Sequence, residues 1–144
     1  MKLSFFQYCD KCKKKCCAKE AVILLPSEVE AIEQFAEKKA GKFAVQKDGY
    51  SIMKKPCPFL VKGKCAVQQV KPLSCMAFPV SFSLKKDKIT WLVAIDCPAA
   101  GHLTKQYAVL AQNELKKIPK RLQEVHSALK SSFKMTELEK SKML

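Results

Sequence analysis

The alternation of hydrophobic and polar residues along the chain predicts two β-hairpins. In KFAVQKDGYSIMKK, residues 43–45 and Tyr50–Met53 flank Asp48-Gly49, a dipeptide preferred in tight two-residue turns. The alternating stretch VSFSLKKDKITWLVAI, residues 80–95, predicts a second hairpin. Cys97-Pro98 follows and ends that strand, since proline has no backbone N–H to donate to a sheet. Both hairpins join neighbouring segments, so their strands are expected to be antiparallel.

Helical spacing of apolar residues marks two further regions. In the first, Pro26 precedes Ser27, which fits a capping box with Glu30 at the helix start, and Gly41 is expected to end the helix. Its apolar face is formed by Val29, Ile32, Phe35 and Ala36. The second region covers about residues 103–132 and is interrupted by Pro119. Its apolar positions are Leu103, Tyr107, Leu110, Ala111 and Leu115, then Leu122, Val125 and Leu129.

The segment between the hairpins is expected to be irregular. Residues 56–79 hold four of the seven prolines and three of the eight cysteines, which excludes a long helix or a central strand. Together the patterns predict a small, single α+β domain with short β-hairpins, cysteine-rich irregular loops and C-terminal helices. We expect the domain to cover residues 1–132, with residues 133–144 as a basic tail.

The composition is strongly basic. The chain has 27 Lys and Arg against 13 Asp and Glu, a formal net charge of +14. Such a charge attracts nucleic acid or another acidic partner, although lysines also serve simply to keep a surface soluble. The longest apolar run, AVILLP, is six residues including its proline, and the first residues do not resemble a signal peptide. We therefore expect a cytoplasmic protein with no membrane association.

The eight cysteines indicate metal binding. They open with the pattern C-x2-C-x3-C-C and lie in or beside irregular segments, whereas cysteines used as inert core residues lie on the apolar faces of helices and strands. Two residues between thiols allow both to reach one ion. In a reducing compartment metal binding is favoured over a disulfide framework, which with inert buried thiols is the alternative. The predicted metal ligands are Cys9, Cys12, Cys16, Cys17, Cys57, Cys65, Cys75 and Cys97.

The pattern leaves the type of metal centre open. Adjacent side chains diverge, so Cys16 and Cys17 fit two centres, or one ligand and one spare thiol. The pattern is compatible with three kinds of centre. These are two four-thiolate zinc sites, one cluster with spare thiols, or a polynuclear thiolate site. Proline follows Cys57 and Cys97, as it follows a ligand in ferredoxin loops, which slightly favours an iron–sulfur (4Fe-4S) cluster over zinc or iron ions. His102 is a further candidate ligand. The apolar residues suited to shield a cluster are Phe59, Leu60, Phe78 and Trp91.

The cysteine-rich opening and the block CPFLVKGKCAVQQVKPLSCMAFP resemble the CxxCxxCC-type zinc- or iron-chelating family, also called YkgJ-like. The resemblance covers about residues 9–97 and leaves out the C-terminal helices. Where the family commonly has arginines, this chain has Lys71 and Met76, so anion binding by paired guanidinium donors is not expected. The matching positions are Cys57, Phe59, Leu60, Gly63, Cys65, Pro72, Cys75, Phe78 and Pro79. The resemblance implies a metal site.

Three functional classes follow from these observations. The first is a metal-binding protein that uses its clustered thiolates. The second is a metal- or cluster-dependent enzyme for redox or methyl transfer with S-adenosylmethionine, which needs an open coordination position or a spare thiol, and eight cysteines leave room for one. Flagellin lysine N-methylases carry a similar cysteine set, but the cysteines alone do not transfer that activity to this chain. The third is a basic, zinc-knuckle-like nucleic-acid binder, with Phe5, Phe6 and Tyr8 available to stack bases. The chain has no P-loop, HExxH, Rossmann glycine pattern or nucleophile motif, so the cysteines carry the only chemistry that the sequence indicates.

Overall fold

The computed structural model describes residues 22–47, 49–62, 64–97, 100–101, 103–129 and 133–138. These residues form helices and small antiparallel sheets, and the α+β class predicted from the sequence is confirmed. Two Xaa-Pro peptide bonds are cis, Lys55-Pro56 and Phe78-Pro79. Within the described ranges, no helix is both long enough and apolar enough to cross a membrane.

The N-terminal part contains a three-stranded sheet and one helix. A short strand β1 (Ile23–Leu24) precedes α1 (Pro26–Ala36), and the hairpin β2 (Ala44–Lys47) and β3 (Tyr50–Met53) follows. The order is β1-β3-β2, and both pairings are antiparallel. Gly49 has φ of +84°, a conformation that glycine adopts without steric cost, which is why this turn is tight. The predicted first hairpin is therefore confirmed.

The boundaries predicted for α1 are wrong. The helix begins at Pro26, because a fixed φ suits proline to the first helical position. The Glu28 carboxylate, instead of that of Glu30, then accepts the backbone N–H of Leu25 at 2.8 Å. The helix ends at Ala36, before Gly41 is reached, since Glu37 takes a left-handed φ of +54°.

The segment predicted to be irregular contains very short elements. They are the hairpin β4 (Leu60–Val61) and β5 (Lys64–Cys65), a 3-10 turn (Gln68–Val70) and the five-residue helix α2 (Leu73–Ala77). Pro72 directly precedes α2 and supplies the first hydrogen-bonding carbonyl of the helix. The prolines of this segment keep its elements short, as expected from the sequence, but do not prevent them from forming.

The C-terminal part is a second sheet covered by two helices. The predicted second hairpin is confirmed as β6 (Val80–Lys85) and β7 (Lys88–Ala94), and the helices are α3 (Lys105–Leu115) and α4 (Lys120–Ala128). The hydrophobic pattern does not predict the last strand, β8 (Met135–Glu137), which pairs with β7. The order in this sheet is β6-β7-β8.

The described residues bury their side chains in two hydrophobic cores. The larger core lies between the second sheet and helices α3 and α4. The smaller core joins α1, the first sheet and the β4–β5 region, and its buried residues are Val22, Leu24, Ile32, Phe43, Ala44, Met53, Phe59 and Val67. Strand β1 serves both cores, because successive strand side chains point to opposite faces: Ile23 enters the larger core and Leu24 the smaller.

Candidate metal centre

Four of the eight predicted ligands belong to the described part of the chain. Cys57, Cys65, Cys75 and Cys97 are all half-buried. The other predicted ligands, Cys9, Cys12, Cys16 and Cys17, lie outside the described residues, as does His102. The structure therefore describes only the last four of the eight cysteines.

Three thiols from three different elements pack against the smaller core. Cys57 lies in the loop before β4, Cys65 in β5 and Cys75 in α2, and each packs against the same group of buried apolar side chains. These cysteines are separated by eight and ten positions in the sequence. The fold thus places all three against one core, which the sequence spacing alone does not reveal.

The β4–β5 hairpin positions Cys57 and Cys65. The Cys57 carbonyl accepts the Leu60 N–H at 3.1 Å, and the Phe59 carbonyl accepts the Ala66 N–H at 2.7 Å. Leu60 lies directly opposite Cys65 in the antiparallel pair. The hairpin reverses the direction of the chain between Cys57 and Cys65, and both cysteines pack against the small core.

Side chains from two other helices hold the α2 helix that carries Cys75. At its start, the Glu28 carboxylate of α1 accepts the backbone N–H of Leu73 through Oε2. At its end, the Tyr107 hydroxyl of α3 donates to the Met76 carbonyl at 3.0 Å. Within the helix, the Cys75 N–H donates to the Pro72 carbonyl at 3.0 Å. Cys75 therefore lies between two side-chain anchors.

Glu28 is the described acidic residue whose environment acts most clearly on its charge. Burial raises the pKa of this carboxyl above its ordinary value, while the hydrogen bonds from the Leu25 and Leu73 backbone N–H groups act in the opposite direction. Burial is the larger effect. Glu28 was not predicted as a site residue, although its position two residues after Pro26 marks it as a helix-start carboxylate.

Cys97 lies apart from the other three described thiols. It forms the turn after β7, where its N–H donates to the Ala94 carbonyl at 3.2 Å and its carbonyl accepts the Ala100 N–H at 2.9 Å. It packs against the larger core, not the smaller one. The structure therefore does not group Cys97 with the thiols on the small core.

Phe59 provides the aromatic cover beside the three thiols. Its side chain is 3% exposed, and its ring lies 5.3 Å from that of Phe43, measured between centroids. Leu60 is half-buried in the same hairpin. Phe78 instead contacts Phe133, and Trp91 contacts Phe82. Of the four apolar residues suggested as a shield, Phe59 is thus the one that the small core contains.

The three thiols suit zinc or iron, but they do not complete a site by themselves. Thiolate sulfur is a preferred ligand of both metals. Within the described ranges, no three His, Cys, Asp or Glu side chains are arranged to hold a metal ion. The N-terminal cysteines are close to this core in the sequence: Cys17 precedes the buried core residue Val22 by five positions. An extended segment of that length spans at most about 18 Å.

A comparison with protein-family models shows the family of this chain. Residues 8–98, more than half of the chain, match the CxxCxxCC family, described as “Putative zinc- or iron-chelating domain”. The chain belongs to the CxxCxxCC family. The matched region begins just before Cys9 and ends just after Cys97, so it contains all eight cysteines and confirms the resemblance found in the sequence. No curated protein and no solved structure matched the chain.

Proposed function

We propose that this protein is a metal-binding protein that holds an iron–sulfur cluster, or else zinc or iron ions, through cysteine thiolates. Cys57, Cys65 and Cys75 form one part of the centre. Cys9, Cys12 and one or both of Cys16 and Cys17 supply the remaining ligands. Membership of a family described as zinc- or iron-chelating supports metal binding in general.

The observation that carries this proposal is that three thiols pack against one small core, which also buries Val22 and Leu24. Val22 and Leu24 are buried in that core, so the chain that follows Cys17 is anchored beside Cys57, Cys65 and Cys75. A metal held by both cysteine groups would close this core on the side where its thiols are half-exposed. Half-buried thiols are accessible to a metal, and the apolar wall behind them limits contact with water.

Two features favour a cluster over isolated zinc ions. Proline follows Cys57, as it follows a ligand in bacterial ferredoxin loops, and removes an N–H donor next to the sulfur. The buried ring of Phe59 also lies on the thiol-bearing core, where apolar cover influences the reduction potential of a cluster. Bound in this way, a cluster supplies one-electron redox chemistry, and a zinc ion supplies structural cross-linking.

Metal and sulfide content per chain tests the proposal, on protein purified without oxygen. Iron with an equal amount of sulfide and a broad visible absorption band is expected. Finding zinc without sulfide would support a thiolate centre that binds zinc ions instead of an iron–sulfur cluster. A chain that retains neither metal, and takes up neither on reconstitution, would refute metal binding.

Serine substitutions locate the ligands. Cys57→Ser, Cys65→Ser and Cys75→Ser should each lower the bound metal to well under half of the wild-type content, because a hydroxyl is a poor ligand for either metal. Cys97→Ser is the matched control, since the same chemical change then falls on a thiol of the larger core. We expect Cys97→Ser to retain most of the metal. Equal losses in all four variants would show that Cys97 belongs to the same centre.

A further inference from the structure

The helix that carries Cys75, α2, depends on contacts with other elements for its position. It has five residues, and a helix of that length is not stable alone, because few of its backbone groups find partners inside it. Its orientation is therefore set by the groups that bind its two ends. The structure shows both groups, and each comes from a different helix.

The anchor at the start of α2 is a carboxylate that joins two helices. Glu28 accepts the Leu25 N–H at 2.8 Å with one oxygen and the Leu73 N–H with the other. These are the first N–H groups of α1 and α2, which have no partner within their own helices. The carboxylate is partly buried, and removing a charged group from water is unfavourable. The two hydrogen bonds from backbone N–H groups offset this cost.

The anchor at the end of α2 is a hydroxyl. Tyr107 of α3 is half-buried in the larger core and donates to the carbonyl of Met76, the residue next to Cys75. Leu73 and Ala77 of α2 are buried in the larger core, whereas Cys75 packs against the smaller one. A rotation of α2 about its axis would therefore move the thiol away from the wall that it shares with Cys57 and Cys65.

We propose that Glu28 and Tyr107 are positioning residues of the metal centre, which act through α2 to fix the direction of the Cys75 thiol. The inference rests on the proposed function, since it assigns a role in the same centre. Neither side chain needs to touch the metal. Glu28 and Tyr107 restrict the motion of the helix that carries the Cys75 thiol. Helix α2 is therefore already ordered before the metal binds, and binding does not have to supply the free energy of ordering it.

The test compares three variants, each of which loses side-chain hydrogen bonding to the backbone. Glu28→Gln must lose one of its two, because an amide has only one accepting oxygen. Tyr107→Phe loses the bond to Met76. Ser127→Ala is the control, and it loses two such bonds: the Ser127 hydroxyl accepts the Leu84 N–H of β6 at 2.7 Å and donates to the Gln123 carbonyl at 2.9 Å, beside the larger core.

The measurement is a titration with Co²⁺ under reducing, oxygen-free conditions, followed by the sulfur-to-cobalt charge-transfer absorption. Competition with a chelator gives the affinity, and urea denaturation of each variant gives its stability. We expect Glu28→Gln and Tyr107→Phe to bind Co²⁺ about 10–100-fold more weakly than the wild type, as is typical when groups behind metal ligands are removed. Ser127→Ala should bind as the wild type does, even if it is equally destabilised.

The outcomes separate this inference from the proposed function. If the wild type shows no thiolate–cobalt band and also takes up neither zinc nor iron with sulfide on reconstitution, the metal centre itself is refuted. If the wild type binds but Glu28→Gln and Tyr107→Phe bind equally well, the centre stands and the positioning role is overturned. An equal loss in Ser127→Ala would also overturn it, because general destabilisation would then explain the change.

Discussion

Glu28 makes the stability of this protein depend on pH in a defined direction. Burial raises the pKa of its carboxyl above the ordinary 4.5, so between those two values the folded chain binds more protons than the unfolded chain. The contribution of Glu28 to the free energy of unfolding is therefore fully present below pH 4.5 and is lost as the pH rises through the folded-state pKa.

This sign gives a direct prediction. From about pH 4 to about pH 7, the free energy of unfolding should fall more in the wild type than in Glu28→Gln, which has no proton to release. Urea denaturation of both proteins at each pH measures the difference. His126 lines the same small cleft as Glu28 and is present in both proteins. Parallel curves for the two proteins would contradict the assignment.

Phe59 should matter for metal retention as well as for stability. Phe59→Leu keeps an apolar side chain but loses the ring contact with Phe43, and we expect a loss of about 1–2 kcal/mol. It should also speed the transfer of metal to a chelator, because water then reaches the thiols more easily. Stopped-flow or manual mixing with a coloured chelator measures that rate.

Phe82→Leu is the control for this prediction. Phe82 is also 3% exposed and contacts another aromatic ring, that of Trp91, but it lies in the larger core. A similar loss of stability with unchanged metal release is expected. If both variants release metal equally fast, Phe59 has no special part in covering the centre.

Single residues show where prediction from the sequence succeeds. The cysteines were predicted in irregular segments because prolines and lysines surround them, and the described ones lie in loops or in very short elements. The separation of Cys97 from Cys57, Cys65 and Cys75 was not predictable, since it depends on which core each segment enters. The roles of Glu28 and Tyr107 were missed for the same reason: each binds a backbone group more than 30 residues away.

Among the elements, the β6–β7 hairpin contains a turn that its own residues do not favour. Lys86 and Asp87 both have positive φ, of 50° and 64°, a combination that Asn-Gly adopts much more readily. Lys86→Asn should therefore raise the free energy of unfolding by about 0.5–1 kcal/mol. The Asp87–Lys120 ion pair at 2.6 Å is left intact by this change.

Lys85→Asn provides the control for the turn. It removes the same charge one residue earlier, within strand β6, where φ is not positive. Thermal unfolding should show a gain for Lys86→Asn and none for Lys85→Asn. Equal shifts would indicate that charge, and not backbone conformation, is responsible.

Elements with local causes were predicted well, and those with distant causes were not. Both long hairpins and both C-terminal helices follow from patterns within a few residues, and the structure has them. Helix α1 was misplaced at both ends because Leu25 and Glu37 occupy the cap positions assigned to Ser27 and Gly41. The strand β8 has three half-buried residues and no clear alternation, and it exists because β7 offers it an edge.

At the scale of the whole molecule, the two cores should respond differently to metal removal. A metal that joins the N-terminal cysteines to the small core contributes its binding energy to the folding of that core. Chelation should therefore increase amide hydrogen exchange in α1 and β1–β3 before it does so in β6, β7 and α3. It should also lower the melting temperature of the protein.

Hydrogen exchange measured by mass spectrometry, with and without chelator, gives the answer. Cys97→Ser treated with chelator is a suitable control, because it changes a thiol outside the small core. Uniform loss of protection in both cores would mean that the domain unfolds as one unit. Unchanged protection in α1 would show that the metal does not support the small core.

The pairing of β8 with β7 has a consequence for how the chain is made. About 40 residues separate the end of β7 from β8, so during synthesis the hairpin is complete well before its neighbour exists. Until then the Leu92, Val93 and Ala94 side of β7 presents unpaired backbone groups, which are ready to pair with the same edge of a second nascent chain. The late arrival of three residues, Met135–Glu137, is what ends this period of vulnerability to self-association.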